Sequence, residues 1–128
     1  MHLFAYGTLM DSEIMTRVSG TSHRSRKATL PRYVRKRVRG EVYPAITGHS
    51  DGSVDGIIYY HVSSEAFDRL DRFEGALYTR RKVIVACGNG NHVAAQTYVI
   101  SPRAAHLLSR EDWSYEHFLR HDKPFFRE

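Results

Sequence analysis

The sequence predicts a mixed α+β fold, and three observations carry that prediction. The run from Ser63 to Gly75 puts Ala66, Phe67, Leu70 and Phe73 at helical spacing, with polar residues between them. Residues 54–62, 78–86 and 92–100 are rich in Val, Ile, Tyr and Thr, the composition of strands. Gly88-Asn89-Gly90-Asn91 separates the last two of these, and an Asn/Gly cluster between two such runs signals a hairpin.

The elements follow in chain order. Leu3 to Tyr6 reads as a short buried strand that breaks at Gly7. Residues 12–18 read as a short helix with Asp11 as its cap, because an aspartate oxygen can accept from the first free amides. Residues 28–42 alternate weakly and are expected to hold one or two strands broken at Pro31. Gly48-His49-Ser50-Asp51-Gly52 has the composition of a turn. The strand at 54–62 follows, then the helix opened by Ser63 and stopped by Gly75. The hairpin at 78–100 comes next. Ser101-Pro102 then opens a helical stretch, since proline suits the first helical position. A last helix is expected around 113–120, so residues 101–128 form a helical tail.

At 128 residues, 41% of them apolar, the chain is expected to form one domain over 1–128 with a core of its own. No stretch is apolar and long enough to span a membrane, and the start lacks a basic leader region. Cys87 is the only cysteine, which excludes an internal disulfide and fits a reducing compartment. The expected location is cytoplasmic.

The residue of greatest chemical interest is Glu74. It lies four residues after Leu70 and seven after Phe67, so it shares their face of the helix. By the same periodicity Asp68, Arg69 and Arg72 point outward. A carboxyl turned toward a core is costly as an anion unless it is paired or has its pKa raised. A raised pKa near neutrality is what a general acid/base needs. The alternative is a surface carboxylate in a frayed last turn. Gly7 likewise has two readings. A glycine leaving a strand lets backbone amides approach a ligand and form an anion-binding concavity, or it simply makes a tight turn.

Four stretches in order extend this reading. They are Phe4-Ala5-Tyr6-Gly7-Thr8-Leu9, Tyr43-Pro44-Ala45, Val54-Asp55-Gly56-Ile57-Ile58-Tyr59 and Leu70-Asp71-Arg72-Phe73-Glu74-Gly75-Ala76-Leu77-Tyr78-Thr79-Arg80-Arg81-Lys82-Val83. With them the chain resembles the gamma-glutamylcyclotransferase-like family, also called AIG2-like, over most of its first hundred residues. One departure is visible: Thr8 stands where the family most often has serine, and both carry a hydroxyl. The resemblance implies a small mixed β-barrel with helices packed outside it. It implies an enzyme that needs no cofactor and no metal. Its substrate would be a small-molecule γ-glutamyl amine, cleaved without water to 5-oxoproline and a free amine or amino acid. Glu74 would be the acid/base. The backbone of Gly7, Thr8 and Leu9 would hold the glutamyl end, with Tyr6 walling the pocket. Tyr78 and Tyr98 would offer hydroxyls, and Arg80 would pair with a carboxylate. Outside the resemblance, Tyr78 and Tyr98 also read as half-buried strand residues, and Arg80 as an outward residue paired with an aspartate.

Other constellations rank lower. His117 and His121 are four apart, a metal-ligand spacing, but Glu116 precedes the first histidine where a zinc-protease motif needs the glutamate after it. Cys87 ends an apolar strand and has no local histidine partner. The net charge of +5 is uneven: Arg24, Arg26, Lys27, Arg32, Arg35, Lys36, Arg37 and Arg39 run without an acidic interruption. Such a segment can bind phosphate backbones or acidic partners. It is therefore the basis of the alternative function, a non-catalytic family member acting as a binding module through 24–39. No known nucleic-acid module accompanies it, and charge runs mostly line solvated faces or guard edge strands, so nucleic acid ranks below the small substrate. The oligomeric state is not legible.

Overall fold

The computed structural model describes residues 1–126. Five strands among them close into a barrel in the order β1-β3-β2-β4-β5. They are β1 (Leu3–Ala5), β2 (Ser25–Arg37), β3 (Pro44–Tyr59), β4 (Tyr78–Cys87) and β5 (His92–Ile100). All neighbours are antiparallel except β1 and β5, which meet in parallel at Leu3 and Gln96. That one parallel contact closes the barrel and makes the sheet mixed. It is reinforced by Gln96 N–H to His2 C=O at 2.8 Å and by the buried Thr97 hydroxyl to Phe4 C=O at 2.9 Å.

Strand alternation explains the two cores. Phe4, Leu30, Ile46, Val54, Ile58, Val85 and Val99 fill the barrel interior. Their neighbours Leu3, Ala5, Tyr59 and Tyr98 face outward into a second cluster with Ile14, Met15, Phe67, Leu70, Trp113 and Phe118. Successive side chains of a strand point to opposite faces, so β1 is covered on both sides. The outer cover comes from α1 (Ser12–Ser19), α2 (Ser64–Glu74) and the C-terminal segment.

Both helices begin as the sequence predicts. Asp11 accepts from Glu13 N–H at 3.0 Å and Ile14 N–H at 3.1 Å, and Ser63 accepts from Ala66 N–H at 3.1 Å. The hairpin of β4 and β5 also matches, with Ala86 opposite His92. Two expectations are corrected. Residues 48–52 are not a turn between strands; they lie inside the single 16-residue β3. The segment expected to break at Pro31 is the single 13-residue β2, running to Arg37. One irregularity accounts for both. The register shifts between Pro31 and Tyr33, where Pro31 faces Ser53 and Tyr33 faces Gly48. The polar residues 49–52 are the excess length of a bulge, and Arg32 opposite them has φ +68°. Proline lacks an amide and so tolerates this break in the ladder.

The C-terminal segment is helical in the two stretches expected, as short turns at Pro102–Leu107 and over residues 115–125, and residues 127 and 128 of the expected tail lie outside the described residues. A 3-10 turn at Pro102–Leu107 is followed by an α-helical turn at Tyr115–His117, a π turn at Phe118–Asp122 and a 3-10 turn at Lys123–Phe125. Val38 bridges to Leu108, Arg37 N–H donates to Glu111 C=O at 2.8 Å and Ser109 N–H to Arg37 C=O at 2.9 Å. The segment therefore covers the free edge at the end of β2, an arrangement that keeps a strand edge from pairing with other chains. No helix among the described residues is long and apolar enough to cross a membrane.

Candidate functional site

A cavity of about 370 Å³ lies where the end of β1, the end of α2 and the start of β3 meet. Its floor is Leu3 to Leu9, its walls include Tyr43, Pro44, Phe73, Leu77, Tyr78, Tyr98 and Phe126, and Glu74 and Arg72 also line it. This size and lining, mostly apolar with a few polar groups, suit a small molecule.

α2 delivers Glu74. The helix buries Ala66, Phe67 and Leu70 against the barrel, and the same face continues to Glu74 at its last turn. Gly75 then takes φ +71°, a conformation open to glycine, and ends the helix there. The Glu74 carboxyl is half-buried and makes no hydrogen bond or ion pair among the described residues. Burial, and secondarily the charge of Asp71, pushes its pKa from an ordinary 4.5 up to about 8. Near neutral pH the group is thus mostly the neutral acid, with a minority of carboxylate.

Asp71, one turn earlier, is treated oppositely. It accepts from the Tyr98 hydroxyl at 2.7 Å, and Arg80 Nε lies 3.1 Å from the same oxygen. The Arg80 guanidinium also sits 4.6 Å over the Phe67 ring. Arg80 is outside the cavity lining, paired with an aspartate on α2.

The loop after β1 is the other polar feature. Gly7 precedes a 3-10 turn, Thr8–Met10, closed by Met10 N–H to Gly7 C=O at 2.9 Å and Asp11 N–H to Thr8 C=O at 3.1 Å. The amides of Gly7, Thr8 and Leu9 precede those bonds and have no acceptor within the turn. A Cβ on Gly7 would lie 3.0 Å from Pro44 Cγ and 3.1 Å from Cδ, so the absent side chain lets β3 close on the loop. Arg35 fixes the loop from behind. Its guanidinium donates to Tyr6 C=O at 2.8 Å and Asp55 C=O at 3.0 Å, and it lies 5.4 Å over the Trp113 ring.

The three tyrosines line the cavity with their rings and spend their single protons on the protein. Tyr6 donates to Tyr98 C=O at 2.6 Å, Tyr78 to Pro44 C=O at 2.6 Å and Tyr98 to Asp71. Burial is the main cause that raises the pKa of all three, so they are phenols at any physiological pH. A bound molecule would meet their rings and their oxygen lone pairs.

The structure thus brings Glu74, Tyr6, Gly7, Thr8, Leu9, Tyr78 and Tyr98 around one cavity and leaves Arg80 beside it. Sequence reasoning gave no site role to Tyr43, Pro44, Arg72, Phe73, Leu77 or Phe126. Tyr43-Pro44 stood among the stretches that carry the resemblance, which was the available signal. Arg72, read as pointing outward, is indeed exposed, yet it lines the cavity's mouth.

The remaining constellations fall outside the cavity. His117 and His121 stack at 4.5 Å, and no group of three potential ligands among the described residues is arranged to hold a metal ion. The basic segment is divided. Arg35 holds the loop, Lys36 pairs with Asp112, and Arg37 donates to Glu41 C=O at 2.8 Å. Arg24, Arg26, Lys27, Arg32 and Arg39 remain exposed.

Comparison with known proteins agrees with this architecture. The family described as Gamma-glutamyl cyclotransferase, AIG2-like, matches residues 3–115. The chain is 32% identical to AIG2-like protein A of Arabidopsis thaliana over 126 residues, 97% of this chain and 76% of that protein. It is 28% identical to AIG2-like protein D of the same plant, covering 100% of this chain and 91% of that one. The fold is similar to a solution structure of an Arabidopsis thaliana protein, with TM-score 0.76 at 28% identity over 93% of this chain and 80% of that one. It is also similar to a solved gamma-glutamyl cyclotransferase, with TM-score 0.70 at 18% identity over 78% and 66%. That last likeness concerns the fold alone. The chain belongs to the gamma-glutamyl cyclotransferase, AIG2-like, family.

Proposed function

We propose that the protein is a γ-glutamyl cyclotransferase, an enzyme that releases 5-oxoproline and a free amine or amino acid from a γ-glutamyl amide. One observation carries the reading: a carboxyl with a raised pKa and no partner among the described residues faces a small cavity whose floor is a turn with amides that have no acceptor within it.

The reaction is an acyl transfer within the substrate. The α-ammonium gives a proton to the Glu74 carboxylate, and the freed amine attacks the γ-carbonyl carbon. A C–N bond forms and the carbonyl electrons move to oxygen. The oxyanion then collapses and the bond to the departing nitrogen breaks. Two protons leave the attacking nitrogen and two arrive on the departing one. Glu74 carries them in turn, which suits a group with pKa about 8, near enough to neutrality to accept and return a proton. The amides of Gly7, Thr8 and Leu9 are suited to hold the glutamyl end, and fixed donors of this kind stabilise an oxyanion well in a partly dry site. Tyr6, Tyr78 and Tyr98 supply walls that keep the glutamyl chain folded for five-membered ring closure. Arg80 acts from outside the cavity, by holding Asp71. No step requires a cofactor. A cytoplasmic location is part of the reading, on the evidence of the lone buried Cys87.

The test is 5-oxoproline release from γ-glutamyl-alanine, γ-glutamyl-ε-lysine and a γ-glutamyl polyamine, with the wild type beside Glu74→Gln. Release by the wild type and not by the variant supports the reading. Wild-type turnover by Glu74→Gln would sink the role of Glu74, and no release from any compound would sink the reaction.

A further inference from the structure

The cavity walls farthest from the Gly7 loop carry information about the departing amine. This inference rests on the cyclotransferase reading. If the glutamyl end occupies the loop and Glu74, the amine must project past the end of α2 toward the mouth. Three side chains stand there. Phe73 and Phe126 face each other edge-on with ring centroids 6.5 Å apart. Arg72 is exposed at the mouth, and it is the only cation lining the cavity among the described residues. It makes no hydrogen bond or ion pair among the described residues, in contrast to Arg35 and Arg80. Arg72 and Glu74 are two residues apart on a helix, roughly 200° around its axis. The two side chains therefore leave the helix in nearly opposite directions, and Arg72 lines the cavity from its exposed side.

Phe126 is held in place by the C-terminal segment. Its ring packs edge-on against the fully buried Phe118 at 5.5 Å, and Phe118 lies 5.9 Å from Trp113. Trp113 Nε1–H donates to Val42 C=O at 2.7 Å, beside the cavity residue Tyr43. Lys123 anchors the same segment to the start of α1, at 2.7 Å from Asp11 and 3.1 Å from Glu13. Residues 116–126 lie beyond the residues that the family match covers, so one wall of the cavity is supplied by chain outside the matched span.

The geometry points to a γ-glutamyl derivative of an apolar, preferably aromatic, α-amino acid as the substrate, with Phe126 and Arg72 as the residues that select it. An aromatic side chain would pack against the paired rings of Phe73 and Phe126, as a third member of the cluster, since aromatic rings prefer edge-on or offset neighbours. The amino acid's carboxylate would meet Arg72, and the same charge would repel the cationic arm of a polyamine.

The experiment compares kcat/KM for four compounds, two pairs of which differ in a single feature. γ-Glutamyl-phenylalanine against γ-glutamyl-alanine isolates the ring. γ-Glutamyl-phenylalanine against γ-glutamyl-phenethylamine isolates the carboxylate. γ-Glutamyl-putrescine adds the second cation. The expected wild-type ratios are roughly tenfold for the ring and, at a solvent-exposed ion pair, about two- to fivefold for the carboxylate. Phe126→Ala should collapse the first ratio and leave the second. Arg72→Ala should bring the second near one, and Arg72→Glu should invert it. Because each ratio is taken within one protein, a loss of folded material cancels. Equal wild-type rates on all four compounds would overturn the selectivity while leaving the reaction standing. A uniform loss on all four in Arg72→Ala would also overturn it, because Arg72 would then hold the glutamyl carboxylate common to all of them. No release from any compound would remove the reaction and the inference together.

Discussion

Asp71 and Glu74 stand one turn apart on α2, and only Asp71 is paired. Tyr98 and Arg80 both converge on one Asp71 oxygen, while the Glu74 carboxyl has no partner among the described residues. The two acids consequently differ in chemistry. A carboxylate with a cation and a hydroxyl beside it is held as a charge, whereas a half-buried one with no partner among the described residues has its pKa raised, which is the state the proposed proton carrier needs.

Replacing Glu74 by glutamine should remove 5-oxoproline release while keeping the fold, because the side chains are nearly the same size and no bond to Glu74 is broken. The expected loss in kcat is on the order of 10³-fold, within the range of a general acid/base. Circular dichroism and the thermal melt of the variant would establish that the loss is chemical.

The pH dependence should follow the unpaired acid. In the proposed reaction cyclisation starts from the Glu74 carboxylate, so kcat/KM should rise with pH and level off above about 8, the pKa to which burial and Asp71 push this group. Asp71→Asn removes the like charge that is the smaller of the two causes and leaves Arg80 without its partner. Both changes favour the Glu74 carboxylate, so the inflection should move to lower pH. Burial remains, so the shift should be partial. A pH profile unchanged in Asp71→Asn would contradict this coupling.

Stability carries the same signature with its own sign. A carboxyl whose pKa is raised by folding binds its proton more tightly in the native state, so deprotonation costs stability as pH rises from about 4.5 to about 8. Glu74→Gln abolishes that cost. The variant should melt with the wild type near pH 4 and above it at pH 9. Since Glu74 is partly exposed to solvent, the gain should be about 1–2 kcal/mol rather than the full value of the shift. Other groups titrate in both proteins, so the difference between the two melting curves isolates Glu74.

The sequence makes much of this site legible because the site rests on local rules. A capped helix with an apolar stripe puts Glu74 on the buried face whatever it packs against, and a glycine after a strand marks the loop. Barrel closure is not local. Its parallel contact joins Leu3 to Gln96, and nothing in either segment announces the other. The bulge at Pro31 hides one long strand behind the composition of a turn, because residues 49–52 are polar for being excess length in a ladder. Phe126 is invisible for a similar reason: its place in the cavity depends on Trp113, Phe118 and Lys123 turning the last segment back across α2. Arg35 shows the opposite error. It reads as part of a charged patch, but it holds the carbonyl of Tyr6, next to the loop it positions.

Gly7→Ala tests that positioning. Gly7 has φ −122° and ψ −137°, and the space beside its Cα is the constraint that the substitution tests. The new methyl would sit 3.0 Å from Pro44 Cγ, closer than carbon atoms rest, and Pro44 can yield little. Its carbonyl is held by the Tyr78 hydroxyl at 2.6 Å, and its ring opens β3. The loop must therefore give instead, and with it the amides of Thr8 and Leu9. Overpacking of this kind costs about 1–3 kcal/mol. A few tenths of an ångström at the loop should lower kcat/KM by roughly tenfold, since positioning errors far smaller than a bond length are felt in catalysis. Pro44→Ala in the same chain removes the ring atoms that the methyl meets, so the double variant should recover part of the lost activity. Recovery would establish that Gly7 is required for the close approach of β3, whereas an unrescued double variant would place the requirement in the backbone of Gly7 itself.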